Sequence, residues 1–195
     1  MSKSTTDYVI APMSVPSGLT AQLTGVDHHG QHQVLDVVEE RPFTIFLNSQ
    51  EIVTAMTIGD YPEYLALGFL RNQGMLQRDD QITDIAFDEE LETIVVRTAR
   101  TTDYEAKLQK KTRTSGCAVG TVFGDMMEGL VAVKLPRSYI KTSWLYALAT
   151  KINTTPSLYL KAGAIHGTVL CHQDQPLVYM EDVGRHNAVD KVAGW

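Results

Sequence analysis

The chain has 195 residues, 44% of them hydrophobic and 21% charged, with a net charge of −6. That length can bury a core as one domain or two small ones, and the acidic balance excludes a general electrostatic grip on nucleic acid. Two cysteines cannot build a disulfide framework, residues 1–11 lack an apolar signal core, and no apolar run would span a bilayer; the chain reads as cytoplasmic, with no membrane partner.

Residues 1–33 are polar and rich in Ser, Thr, Gln and His, and are expected to form a mobile arm. His28, His29 and His32 lie in it without the Cys or carboxylate set that would complete a metal site. From Val34 the pattern sharpens. Residues 34–38, 43–47 and 52–56 read as strands, the last two joined by the turn Asn48-Ser-Gln-Glu51. Asp60 is a candidate N-cap, with Glu63 completing a capping box and Pro62 in the first turn. Tyr64, Leu65, Leu67, Gly68, Phe69 and Leu70 then supply a broad apolar face, which Gly74 ends. Residues 82–87 and 93–98 form a second hairpin around an acidic turn. Hairpin, helix and hairpin together predict a sheet with a helix laid on it, an α+β roll over residues 34–111. Its final charged, helix-prone stretch, residues 101–111, links the two halves.

The stretch Thr112-Arg-Thr-Ser-Gly-Cys-Ala-Val-Gly120 holds Cys117. Lys110, Lys111 and Arg113 place positive charge upstream. With Thr114 or Ser115 as cap, residues 119–130 read as a helix whose first turn would stabilise a thiolate. Glycine, hydroxyl and basic flanks favour a reactive sulfur over a buried one. Residues 130–134 fit either a short strand or the end of that helix. Thr142 caps a helix running to about Asn153, with Trp144, Leu145, Leu148 and Ile152 on its apolar face.

Residues 168–171 and 176–180 read as strands around the turn His172-Gln-Asp-Gln175. Cys171 fits as packing. His166 stands near Gly163 and beside Gly167, where a strand begins and a ligand could approach. The last stretch, Glu181-Asp-Val-Gly-Arg-His-Asn-Ala-Val-Asp-Lys191, has eight residues of eleven that are charged, His, Asn or Gly. Asp182 or Asn187 would cap a helix turning Ala188, Val189 and Val192 inward. Arg185, His186, Asp190 and Lys191 then crowd a helix start after a strand, where phosphate-bearing ligands tend to sit and where Arg and Lys grip them.

That eleven-residue stretch resembles the signature of the FdhD family, the sulfur carrier proteins needed for formate dehydrogenase activity. Gly163-Ala-Ile-His166 is similar to the family's Gly-X-X-His segment, and Thr114-Ser-Gly-Cys117 to its Thr-Ser-Gly-Cys loop. Glu40-Arg-Pro-Phe-Thr-Ile and Leu67-Gly-Phe-Leu-Arg-Asn-Gln-Gly74 are similar to its N-terminal half. The resemblance implies a mixed α/β fold, the roll being followed over residues 112–195 by the start of a cytidine-deaminase-like α/β domain. It implies a sulfurtransferase that takes persulfide sulfur from a cysteine desulfurase on Cys117. The sulfur then passes to the molybdenum (or tungsten) bis-molybdopterin guanine dinucleotide cofactor used by formate dehydrogenase. His166, Arg185, His186 and Lys191 are the expected cofactor contacts, no protein-bound metal is expected, and the implied assembly is a homodimer.

Two departures stand out. The family often carries Cys-X-X-Cys in the loop, whereas position 120 is Gly, so no second loop thiol can resolve a disulfide. The family also continues past the position of Trp195, which predicts a missing C-terminal part. A zinc deaminase would need His-X-Glu and Cys-X-X-Cys; Thr168 stands two residues after His166, and no Cys-X-X-Cys occurs. The alternative function is a non-catalytic chaperone for the cofactor or for the enzyme.

Overall fold

A computed structural model describes residues 8–12, 18–100, 111–114, 120–123 and 134–195, with backbone alone for 111–114 and 120–123. The architecture is mixed α/β, as expected. Strands β1 (Thr20–Val26) and β2 (His32–Val38) pair antiparallel, Thr20 opposite Val38 and Val26 opposite His32. Residues 20–33, expected as part of a mobile arm, therefore lie in a hairpin. Asp27 closes the turn by accepting from the backbone N–H groups of His29 and Gln31, both at 2.9 Å, and His28, His29 and His32 stand exposed. Further upstream, Val9 N–H donates to the Leu177 carbonyl at 2.9 Å and Tyr179 N–H to the Ile10 carbonyl at 3.0 Å. Part of the expected arm is therefore tied to the C-terminal half.

The central sheet runs in the order β4 (Gln50–Thr57), β3 (Arg41–Leu47), β6 (Thr93–Thr98), β5 (Ile82–Asp88). Both predicted hairpins are present, and they join through parallel pairing of β3 with β6, from Thr44–Thr93 to Leu47–Val96. Alternation along β3 buries Phe43, Ile45 and Leu47 on one face. Asn48 adopts the left-handed conformation in the β3–β4 turn. Its amide accepts from Thr98 N–H at 2.9 Å, which ties the turn to the end of β6.

Helix α1 (Pro62–Asn72) covers that apolar face and buries six consecutive residues, Leu65 to Leu70. A helix packed along one stripe cannot do this; α1 is covered on two sides. Each large apolar side chain fully buried there contributes about 1.5–3 kcal/mol. Pro62 opens the helix as expected and Gly74, at φ 66°, follows its end, its N–H bonded to the Arg71 carbonyl. The expected cap is not formed. Tyr61 occupies the N-cap position, left-handed at φ 47°, with no side-chain cap bond, because Asp60 is held by another partner.

Strands β7 (Lys111–Thr114) and β8 (Gly120–Phe123) pair antiparallel, Lys111 opposite Phe123 and Thr114 opposite Gly120. Residues 120–123, expected within a helix, are therefore a strand: Thr121, Val122 and Phe123 are strand formers, and β7 gives them a ladder. Cys117 lies between the two strands, outside the described residues. The expected link over 101–110 also lies outside them.

Helix α2 (Thr142–Asn153) matches its predicted span, but Lys141 rather than Thr142 is the N-cap residue. Trp144, Leu148 and Ile152 are half-buried, while Leu145 is exposed. The short α3 (Leu158–Ala162) follows. Strands β9 (His166–His172) and β10 (Gln175–Asp182) then form the predicted hairpin, and α4 (Arg185–Gly194) packs against both strands and against α1. The α1–α4 crossing is close enough that a Cβ on Gly68 would lie 2.8 Å from the Gly194 nitrogen. Glycine at 68 and 194 is what allows two helix backbones to touch. A second small core, Ile58, Leu158 and Ile165, joins the loop after β4 to α3.

Candidate functional site

The C-terminal signature turns inward more than its charge suggests. In α4 the buried residues are Ala188, Asp190, Lys191 and Gly194. Val189, expected inward, is 49% exposed. Small residues at 188 and 194 let the helix lie close to its neighbours, and that face includes position 191.

Lys191 is fully buried (0% exposed). Its ammonium donates to the carboxylate of Asp60, to Asp182 Oδ2 at 2.6 Å and to the Glu181 carbonyl oxygen at 3.0 Å. All three ammonium donors are used. This corrects the expectation that Lys191 grips a phosphate: it neutralises two carboxylates of the protein's own. Asp60, expected to cap α1, is drawn away from that role by the same ion pair. Burial pushes the Asp60 carboxyl above its ordinary range, while Lys191 opposes the shift.

Asp182 is also fully buried. Its Oδ1 accepts from the backbone N–H of Gly184 at 3.0 Å and from the Asn187 amide at 3.1 Å. Its Oδ2 accepts from the Thr57 hydroxyl at 2.5 Å as well as from Lys191. The Asn187 amide reaches on to the Met56 carbonyl at 2.6 Å. Thus Asp182, not Asn187, ties down the start of α4, with Gly184 at the N-cap position. Glu181, next along β10, accepts from the N–H groups of Leu158 and Tyr159, both at 2.9 Å, and so caps α3. Burial raises the Glu181 carboxyl above its usual range; the two backbone N–H groups oppose that. Asp190 accepts from the Asn72 amide at 2.6 Å, and burial pushes its pKa up to about 6.

Four signature residues therefore hold the two halves together. Two others, and His166 from the neighbouring strand, face outward. Arg185 and His186 are exposed in the first turn of α4, and His166 is exposed at the first position of β9, directly across the ladder from Asp182. The first turn of α4 has no acidic residue, so its positive dipole end and Arg185 both favour an anion. The glycines near His166 have local duties. Gly163, at φ 64°, ends α3. A Cβ at Gly167 would stand 2.8 Å from the Tyr179 hydroxyl oxygen, so the ring of Tyr179 already uses that space.

Cys171 fits the packing expectation. It is half-buried, its Sγ lies 3.7 Å from the Val169 carbonyl, and burial pushes its thiol pKa up, away from the reactive range.

The FdhD/NarQ family matches residues 38–195, which span both halves and the whole signature. The chain belongs to the FdhD/NarQ family. It is 26% identical over 162 residues to the sulfur carrier protein FdhD of Bacillus pumilus, covering 82% of this chain and 62% of that protein. To the sulfur carrier protein FdhD of Bacillus subtilis it is 29% identical over 161 residues, covering 81% and 61%. The chain thus spans about three fifths of the length of these curated relatives. Its fold is similar to that of a Desulfotalea psychrophila protein solved under the name formate dehydrogenase accessory protein, with a TM-score of 0.68 and 24% identity. That likeness covers 92% of this chain and 67% of the other. Among the described residues no helix is long and apolar enough to cross a membrane.

Reading the sequence missed Thr57, the pairing of Asp60 and the inward turn of Lys191. One signal was present: Lys191 lies three residues after Ala188, on the same helical face, and Ala188 is fully buried.

Proposed function

We propose that this family member is a cytoplasmic sulfur carrier with Cys117 as its persulfide site, acting in maturation of the molybdenum cofactor for formate dehydrogenase. The family match, which contains the Cys117 loop, carries this reading. The Cys117 thiolate attacks the terminal sulfur of a cysteine desulfurase persulfide. The donor's S–S bond breaks, its cysteine leaves as a thiolate, and Cys117 keeps the sulfane sulfur with no net oxidation. Lys110, Lys111 and Arg113 flank the loop in sequence and would favour the thiolate. The other thiol, Cys171, is a poor competitor because burial raises its pKa.

The client is the bis-molybdopterin guanine dinucleotide cofactor, bound as cargo and carrying several phosphates. Exposed Arg185, His186 and His166 fit such an anion at the positive end of α4, Arg185 by bidentate bonds and the histidines as hydrogen-bond partners. Lys191 is left out of that set. The working unit in this reading is a homodimer.

The test is intact-mass analysis after incubation with a desulfurase and cysteine. Gain of one reducible sulfur atom mapped to Cys117, lost in Cys117→Ser and kept in Cys171→Ser, is the expected result. No gain on folded protein, with binding of the cofactor retained, would replace this reading with a non-catalytic chaperone.

A further inference from the structure

We infer that Asp182 is a positioning residue: it sets the first turn of α4 against the start of β9, so that Arg185, His186 and His166 present together to one anionic ligand. The inference rests on the phosphate-binding reading of those three residues and adds what holds them in register.

Three observations carry it. Asp182 pairs through its backbone with His166 across the ladder, while its side chain accepts from Gly184 N–H and Asn187, so one residue connects the segments that bear all three exposed groups. It is itself held by Thr57 from the other half of the molecule and by Lys191 of α4, which reaches across to Asp60. Asp60 is delivered by a loop with two left-handed residues, Gly59 at φ 88° and Tyr61 at φ 47°. A non-glycine residue in that conformation persists where its surroundings over-determine it.

Stability alone does not call for this arrangement. Burying charges is costly, and packed apolar side chains often do as well or better. What a hydrogen-bonded carboxylate adds is direction: four acceptor positions with four fixed donors leave α4 one place to start. The Gly184 N-cap offers no side-chain bond of its own, so Asp182, together with the Asn187–Met56 bond, constrains that turn.

The test compares the native chain with Arg185→Ala, Asp182→Asn and Thr57→Val, together with the doubles Asp182→Asn/Arg185→Ala and Thr57→Val/Arg185→Ala. Guanosine diphosphate, the nucleotide-diphosphate part of the proposed cargo, is titrated into each, and amide hydrogen exchange is followed residue by residue. Arg185→Ala is expected to weaken binding at least tenfold with native exchange throughout. Asp182→Asn is expected to weaken it at least tenfold and Thr57→Val about threefold. Both should accelerate exchange at residues 184–187 while residues 65–70 of α1 keep native rates. In the doubles, Arg185→Ala should then add less than twofold, because its guanidinium is already misplaced. Native exchange at 184–187, acceleration spread equally through α1, or full additivity of the doubles would overturn the positioning role. Should Asp182→Asn fail to fold, Thr57→Val, which removes one hydroxyl and keeps its shape, decides alone by the same criteria. If the native chain binds no guanosine diphosphate, the phosphate reading falls, and the exchange pattern at 184–187 still decides whether Asp182 orders that turn.

Discussion

Gly68 on α1 and Asp190 on α4 meet through their backbones: a Cβ on Gly68 would fall well inside contact distance of the Asp190 carbonyl. In a helix interior, Gly→Ala ordinarily stabilises by about 1 kcal/mol. Here the sign reverses. Gly68→Ala must push the two helices apart and is expected to cost about 3 kcal/mol or more. Gly194→Ala should behave alike, since its Cβ would be 2.8 Å from the Tyr64 Cα. Urea unfolding of both variants is the measurement, and a native midpoint for either would show that the crossing is looser than described.

Removing the ammonium of Lys191 leaves Asp60 and Asp182 buried and facing each other. Lys191→Met should lower stability by about 3–5 kcal/mol. The triple variant Lys191→Met/Asp60→Asn/Asp182→Asn, which removes the buried charges together, should recover part of that loss. Arg185→Ala, on the exposed turn, should stay within about 0.5 kcal/mol of the native chain. Equal losses for Lys191→Met and Arg185→Ala would contradict the inward placement of Lys191.

Asp190 gives a pH signature. Its pKa rises from 3.8 to about 6 on folding, so between those values the folded state holds the proton that the unfolded state has released. Stability from this group is therefore present at low pH and lost as pH rises through about 6, by roughly 2–3 kcal/mol over the window. Asp190→Asn keeps an acceptor for Asn72 and removes the charge. It should raise the melting temperature at pH 7 and flatten the slope between pH 4 and 6 relative to the native chain. A parallel slope in the two proteins would assign the effect elsewhere.

Glu181 holds the two N–H groups that open α3. Glu181→Ala orphans both and should cost about 1–3 kcal/mol. Glu181→Gln keeps one acceptor and should lose less. Exchange at Leu158 and Tyr159 should quicken in Glu181→Ala; unchanged exchange there would mean that Ser157, the N-cap residue whose hydroxyl accepts from Leu160 N–H at 3.3 Å, suffices to hold the helix start.

Most local elements were legible because their signals are local. Alternation in β3, the Asn48 turn, Pro62 and Gly74 around α1, and the β9–β10 hairpin each rest on a few adjacent residues. Where the reading failed, a distant partner had won. Asp60 lost its capping role to a lysine 131 positions away. Residues 120–123 became a strand because residues 111–114 pair with them. Residues 20–26 left the expected arm because β2 offered them a ladder.

By itself the sequence determined the family, through the run from Glu181 to Lys191 and the loop at Cys117, and it determined the hairpins of the central sheet, α1, α2 and the β9–β10 hairpin, since propensity and periodicity act over neighbours. Only the tertiary structure decided which charges near the C-terminus turn inward and which stay exposed. Burial sorts them: Asp182, Asp190 and Lys191 lose water and must find partners within the chain, while Arg185, His186 and His166 keep their solvent and remain free to exchange it for another molecule.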